Sequence, residues 1–378
     1  MSDSTQYLFE GLRILDLTKV LSGPLATRYF ADYGAQVIKI EQVNAADPGR
    51  NFPPLVQGWS GYFEVFNRNK KGITLDLTNE RDRQSFFELV KTADVIVENL
   101  TPSVKKKLQI SYQDLVQVKP DIIYASLAGI DQDTNRKYFD LIAQAESGLL
   151  SLSGTPDQPG KIGPAVVDAF AGTTLAFGIA GALFHRQRTG VGQEVSVSML
   201  GCAMNLLEQN LIEYSVTKKN PVRPGNHDTA IAPFGVFQTK DAFIALAIGS
   251  DSLWLEFVQL FTQESALSAS HFATNAGRLT HLTELVTTIE RLFSQFDVAE
   301  LLALLRAHNI PAAMINEMSD VATDEWFRRS KALVDFTHRK AGVILVPGEA
   351  VHFASHPMRP LSAAPAQGED NEEFGIHH

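Results

Sequence analysis

Between residues 12 and 129 short apolar runs alternate with longer helical ones, and no other feature narrows the possible folds so far. The runs LRILDLT (12–18), AQVIKIE (35–41), KGITLDL (71–77), DVIVENL (94–100) and DIIYASLAG (121–129) read as strands. Between them, 23–34 reads as a helix with Pro24 near its start and Gly34 just past its end, and 79–93 and 103–120 read as two more. Strands that alternate with helices are joined by crossovers, so the expected product is a mostly parallel sheet covered on both faces. In such an open, doubly wound α/β sheet, ligands usually sit at the carboxyl ends of the strands.

The most apolar window, GPAVVDAFAGTTLAFGIAGALFHRQRTG (163–190), reads as a buried helix. Asp168, Thr173 and Thr174 interrupt it as a membrane span, and Gly172, Gly178 and Gly181 suit close packing against another element. A strand at 192–199 and a helix at 200–215 follow. The polar, turn-rich stretch from 216 to 233 marks a linker, 234–249 reads as a hairpin, and 251–261 and 297–309 read as helices of a smaller α+β unit. The expected division is a large domain over 1–205, a linker over 206–229, a small domain over 230–315, and a second linker and return to the large domain over 316–378.

With 33 Lys and Arg against 43 Asp and Glu, the chain carries a formal charge of −10, which excludes a general affinity for nucleic acid or an anionic membrane. Any anion must be met by a local basic patch. The NRNKKG segment (67–72) and the Lys105, Lys106, Lys107 triplet at a helix start are the candidates, each also readable as a solvated basic face. The single cysteine, Cys202, excludes an intramolecular disulfide and reads as a small buried residue. The N-terminus has neither a basic leader nor an apolar signal core, so a cytoplasmic location is expected. Neither P-loop, dinucleotide fingerprint nor G-x-S-x-G is present, and no metal is expected. His377 and His378 are terminal, while His352 and His356 fall in a strand-like and turn-like stretch where that spacing does not bring them together.

Asp168 is the chemically interesting residue, a carboxylate at the head of an apolar helix. Taken alone, capping the helix by accepting backbone N–H bonds is its ordinary role. An ionised, partly desolvated carboxylate beside free backbone donors is also able to attack an activated acyl group, and the two roles are compatible.

The ordered motifs GLRILDLTKVLSGPLATRYFADYGAQVIKIE, FNRNKKGITLDL, ADVIVENLTPSVKKKL, YFDLIAQAESGLLSLSG and VVDAFAGTTLAFGIAGALFHRQRTGVGQEVSVSM resemble the class III CoA-transferases, the family of formyl-CoA transferase, carnitine CoA-transferase (CaiB/BaiF) and α-methylacyl-CoA racemase. The resemblance implies a large Rossmann-like domain built from both chain ends, a small middle domain, and an interlocked homodimer. It implies acyl-CoA and a carboxylic acid as substrates, coenzyme A bound as substrate rather than as a tightly held cofactor, and Asp168 as the nucleophile. Val20, Leu21, Ser22, Asn69, Lys70, Lys71, Asn99, Leu100, Lys107 and Lys137 match its CoA-contacting positions, Lys107 standing where the transferases have Arg.

The departures from the pattern narrow the activity. Gln42 stands where many members have Arg, and Leu21 replaces the Gln of the formyl-CoA/oxalate transferases, which argues against oxalate as acceptor. Phe139 stands where racemases have an acid-base His, so racemisation is the weaker alternative, beside a CoA-binding scaffold without turnover. Asp140 is expected to shape the site, and Arg223, Asn226 and His227 are candidates for the acceptor side.

Overall fold

Six parallel strands form one sheet in the computed structural model, which describes residues 6–377. They are β1 (Arg13–Asp16), β2 (Gln36–Glu41), β3 (Lys71–Thr74), β4 (Val95–Glu98), β5 (Ile123–Ala128) and β6 (Glu194–Ser198), lying in the order β3-β2-β1-β4-β5-β6. This is the order of the doubly wound nucleotide-binding folds, and the direction of winding reverses between β1 and β4.

Neighbouring residues of a strand face opposite layers. Ile14, Val37, Val95, Val97 and Ile123 pack against α1 (Ser22–Asp32) and the long helix α6 (Val166–Thr189), through Phe30, Ala171, Leu175 and Ile179. Leu15, Ile38, Ile73 and Ile96 face the other layer, where α3 (Glu80–Thr92) contributes Phe86 and Val90. Each fully buried side chain of this size contributes about 1.5–3 kcal/mol. Three further helices bear on the site: α2 (Gly61–Asn67), α4 (Pro102–Leu108) and α5 (Asp140–Glu146).

Several expectations are corrected. The single helix over 103–120 is two, because Gln109 takes a left-handed conformation (φ 57°) that ends α4, and a Ser111–Asp114 capping box then starts Tyr112–Leu115. The helix over 200–215 is also two, Met199–Asn205 and Glu208–Thr217, so the start of the expected 206–229 linker is helical. Helix α6 is not wholly buried. Gly172 and Gly178 lie against Ser22 and Val195, but among the described residues Gly181 has no neighbour close enough to touch a methyl group, and Phe177 and Phe184 are 79% and 61% exposed. By length and composition alone α6 would cross a membrane, yet one face of it belongs to the core.

The chain forms two compact units. The larger takes in residues up to Leu149, Lys161–Lys219 and everything from Glu325 onward. Its tail is tied in by Ser362 to Asn69 and by Asp370 to Lys71. The smaller unit is Asn220–Asp324 together with Leu150–Gly160. It holds a three-stranded antiparallel sheet, Phe234–Gln238, Phe243–Ala247 and Ala312–Met314, over a core of Phe237, Trp254, Phe257 and Phe293. The segment 150–160 joins it because the Arg223 guanidinium donates to the carbonyls of Ser151, Thr155 and Pro156.

Candidate active site

The reversal of winding between β1 and β4 opens a crevice at the carboxyl end of the sheet, where a ligand is expected to bind. A cavity of about 230 Å³ occupies it. The loop after β1 supplies Lys19, Val20, Leu21 and Ser22, the loop after β4 supplies Asn99, Leu100, Thr101 and Pro102, and the end of β5 supplies Leu127 to Gly129. Arg136, Lys137, Tyr138, Phe139 and Asp168 also line it. Lys19, Lys137 and Arg136, the last paired with Glu146 at 2.6 Å, thus face one cavity with the carboxylates of Asp131 and Asp168, in a chain of net charge −10.

Asp168 is not the cap of α6. The helix begins at Val166, its cap position is Ala165 without a side-chain cap bond, and Asp168 lies in the first turn. The orphan donors are taken by another carboxylate: Asp140 Oδ1 accepts from Val167 N at 2.9 Å and from Asp168 N at 3.3 Å. Asp140 is itself buried at the start of α5, and its other oxygen accepts from Gln144 Nε2 at 2.6 Å. This leaves the Asp168 carboxylate free for the cleft. Among the described residues, its one hydrogen bond comes from the Ser22 hydroxyl, at the start of α1.

Helix α1 brings the free donors that α6 lacks. Its cap residue is Leu21, no side chain caps it, and Pro24 occupies its first turn. Among the described residues, the N–H groups of Leu21, Ser22 and Gly23 have no acceptor. The two helices meet closely, since a Cβ on Gly172 would lie 2.5 Å from the Ser22 carbonyl oxygen, and the turn into α1 is equally tight, since one on Gly23 would lie 2.4 Å from Thr18. Glycine at both positions brings the Ser22 hydroxyl to a carboxylate one turn before Gly172 on the same face of α6.

Burial, opposed by the Ser22 hydroxyl and aided by the charge of Asp140, pushes the Asp168 carboxyl up to about 6. It is therefore ionised at neutral pH and becomes protonated as pH falls through 6. If the carboxylate is the reacting form, kcat/KM rises with pH up to that point and then levels. Ser22→Ala removes the opposing contribution, so the acid limb shifts to higher pH and the plateau falls roughly tenfold, as for a hydrogen bond to a charged group. A pH profile of the two proteins measures both changes; an unshifted limb would mean that this hydroxyl does not tune Asp168.

The structure gathers Val20, Leu21, Ser22, Asn99, Leu100, Lys137 and Asp168 in the one cavity. Asn69 and Lys70 are not presented there. The Lys70 side chain is wholly buried and bonds Asp16 and Asn67 side chains and the Pro24 carbonyl at 2.8–2.9 Å. Asn69 bonds Asp32 and Ser362, and Lys71 turns to Asp370 and Glu373. Lys107 lines a second cavity of about 200 Å³ that shares Lys19 and Leu100 with the first. Arg223, Asn226 and His227 belong to the smaller unit. There Asn226 and His227 lengthen a sheet edge by backbone bonding, and burial lowers the His227 pKa.

Other residues have no signature in the sequence. Leu75 to Thr78, after β3, line the second cavity with Gln42, Val104 and Lys107. Tyr62 feels burial first and then the charges of Asp168 and Asp47, all of which raise its pKa, so it stays a neutral phenol within electrostatic reach of Asp168. His271, His281 and Glu284 bring metal-type ligand atoms within 4.8 Å, a grouping that His–Glu pairing at 3.2 and 3.8 Å explains without an ion.

Residues 9–371 match the profile of CoA-transferase family III. The chain is 33% identical to the acetyl-CoA:oxalate CoA-transferase of Acetobacter aceti, over 92% of this chain and 90% of that protein. It is 32% identical to the succinyl-CoA:glutarate CoA-transferase of Mus musculus, over 95% of this chain and 84% of that protein. A solved structure of a CaiB/BaiF family protein from Brucella suis superposes with a TM-score of 0.87 at 29% identity, covering 98% of this chain and 99% of the other.

Proposed function

The chain belongs to CoA-transferase family III, and we propose that it moves CoA from an acyl-CoA to a free carboxylic acid through covalent intermediates on Asp168. One observation carries this reading. The Asp168 carboxylate, relieved of capping by Asp140, faces the cavity beside the undonated N–H groups at the start of α1.

The chemistry follows from those groups. An Asp168 oxygen attacks the thioester carbonyl, the C–S bond breaks, and a mixed anhydride and CoA thiolate result. The thiolate then attacks the Asp168 carbonyl, releasing the donor acid and leaving an aspartyl-CoA thioester. The acceptor carboxylate attacks that thioester, giving a second anhydride, and the thiolate takes the acceptor's acyl group and frees Asp168. Each addition places negative charge on a carbonyl oxygen, which free N–H donors stabilise. No step needs water, so thioester energy is conserved.

The cavities suit CoA. Lys19, Arg136 and Lys137 offer charge to the phosphates, while Lys107 with the apolar walls of Leu17, Ile40, Leu75 and Val104 suits the adenosine end. Phe139 lines the cleft with a phenyl ring, which has no acid-base capacity for racemisation. The exposed Phe177 and Phe184 on α6 fit a face covered in a cytoplasmic homodimer. The named relatives act on oxalate and glutarate, so dicarboxylic acids head the acceptor panel, with oxalate retained although Leu21 had argued against it.

The reading is tested by incubating the protein with an acyl-CoA, quenching with hydroxylamine and mapping the adduct by mass spectrometry. A hydroxamate at Asp168 that requires acyl-CoA is expected. Transfer without any adduct at Asp168 would overturn the covalent route.

A further inference from the structure

Val20 adopts φ 72°, a left-handed conformation that a β-branched residue takes only when its surroundings impose it. It stands at the turn that carries the chain from β1 into α1, two residues before Ser22. The agent that imposes it is visible. Val20 N donates to both oxygens of Asp47, at 3.1 and 3.2 Å, and Asp47 is 1% exposed. Asp47 is anchored in turn by Lys39 Nζ at 2.8 Å and Gly49 N at 2.8 Å, while its own N–H donates to Glu41 at 2.8 Å. Lys39 also grips the Thr18 carbonyl at 2.5 Å, and the Asn99 amide brackets Lys19, accepting from its N–H at 3.0 Å and donating to its carbonyl at 2.9 Å. Three side chains from separate segments therefore hold Thr18 to Val20.

We infer that Asp47 is a positioning residue for the transfer reaction: by holding Val20 left-handed it sets the start of α1, and so the Ser22 hydroxyl and the free N–H groups, against Asp168. Without that grip valine returns to negative φ, and the residues after it swing away. Among the described residues, Asp47 neither lines the cavity nor bonds Asp168; it acts through the backbone of Val20. The inference rests on the transferase reading above, and the two fail differently. A wild-type protein that transfers no CoA overturns the reading, whereas the tests below compare variants of a working enzyme.

A merely structural role, as charge partner of Lys39 and cap of Pro48–Asn51, would also make Asp47 variants defective. The distinguishing measurement is rescue at a different residue. Asp47→Asn is expected to lower kcat about 10²-fold, the cost of a reacting group displaced by about an ångström. Adding Val20→Gly is expected to recover about tenfold of that loss, because glycine takes φ 72° without steric cost. The melting temperature lost with Asp47→Asn is expected to stay lost in the double variant. If Asp47→Asn fails to fold, Lys39→Met/Asp47→Asn, which leaves no unpaired buried charge between the two positions, is compared with and without Val20→Gly. A kcat within about threefold of wild type for Asp47→Asn, or no gain from Val20→Gly in either background, overturns the inference.

Discussion

Asp168→Asn is expected to lower kcat for CoA transfer by at least about 10⁴-fold, the scale seen when a covalent nucleophile is removed, and to abolish acyl-CoA-dependent labelling. The loss is not one of folding. Asp168 is ionised at neutral pH in a setting that burial and Asp140 make unfavourable for charge. Its folded pKa of about 6 lies above the ordinary 3.8, so the native state binds the proton more tightly than the unfolded chain does. Stability associated with this group is therefore present at low pH and lost as pH rises through about 6. A neutral amide removes the cost of the charge. Asp168→Asn should melt no lower than wild type at pH 7.5 while the acyl-CoA dissociation constant stays within about threefold. An Asn variant that retains even one per cent of kcat would sink the nucleophile assignment.

Lys70→Ala is expected to cost about 3–5 kcal/mol of stability, because it leaves the Asp16 carboxylate buried with its ion-pair partner gone. Burial alone would raise the Asp16 pKa. Lys70 and Lys39 overcome that and hold it well below the carboxylate range, so the charge persists at any working pH. The melting temperature should fall on the order of 5–10 °C. The acyl-CoA KM of the remaining folded enzyme should change less than about twofold, since Lys70 does not line either CoA cavity. The family resemblance placed Lys70 among the CoA-contacting positions. A variant that melts like wild type but shows a tenfold higher KM would restore that placement.

What the sequence disclosed and what it hid follow one physical division. The alternating runs predicted the sheet because a parallel strand buried on both faces leaves little room for polar residues, and Ile14, Leu15, Ile38 and Ile96 obey that rule. Asp168 was legible as unusual because a carboxylate breaks an apolar window. Its release from capping was not, since Asp140 lies 28 residues away and becomes a cap only when α5 and α6 meet. Lys70 misled for the same reason. A lysine in a basic run looks solvated until Asp16, 54 residues earlier, is folded beneath it. Leu75 to Thr78 gave no signal at all, because what they offer the second cavity is their position after β3 rather than their chemistry.

On the proposed route, the buried setting of Asp168 beside Asp140 bears on how the first anhydride divides. Thiolate attack on the donor carbonyl expels Asp168 and merely reverses the reaction, while attack on the Asp168 carbonyl expels the donor acid. Because burial, aided by the charge of Asp140 and opposed by the Ser22 hydroxyl, holds the Asp168 conjugate-acid pKa at about 6, Asp168 leaves more reluctantly than an ordinary carboxylate. The better leaving group is the donor acid. Burial of the proposed nucleophile thus biases the intermediate toward committing the coenzyme to the enzyme.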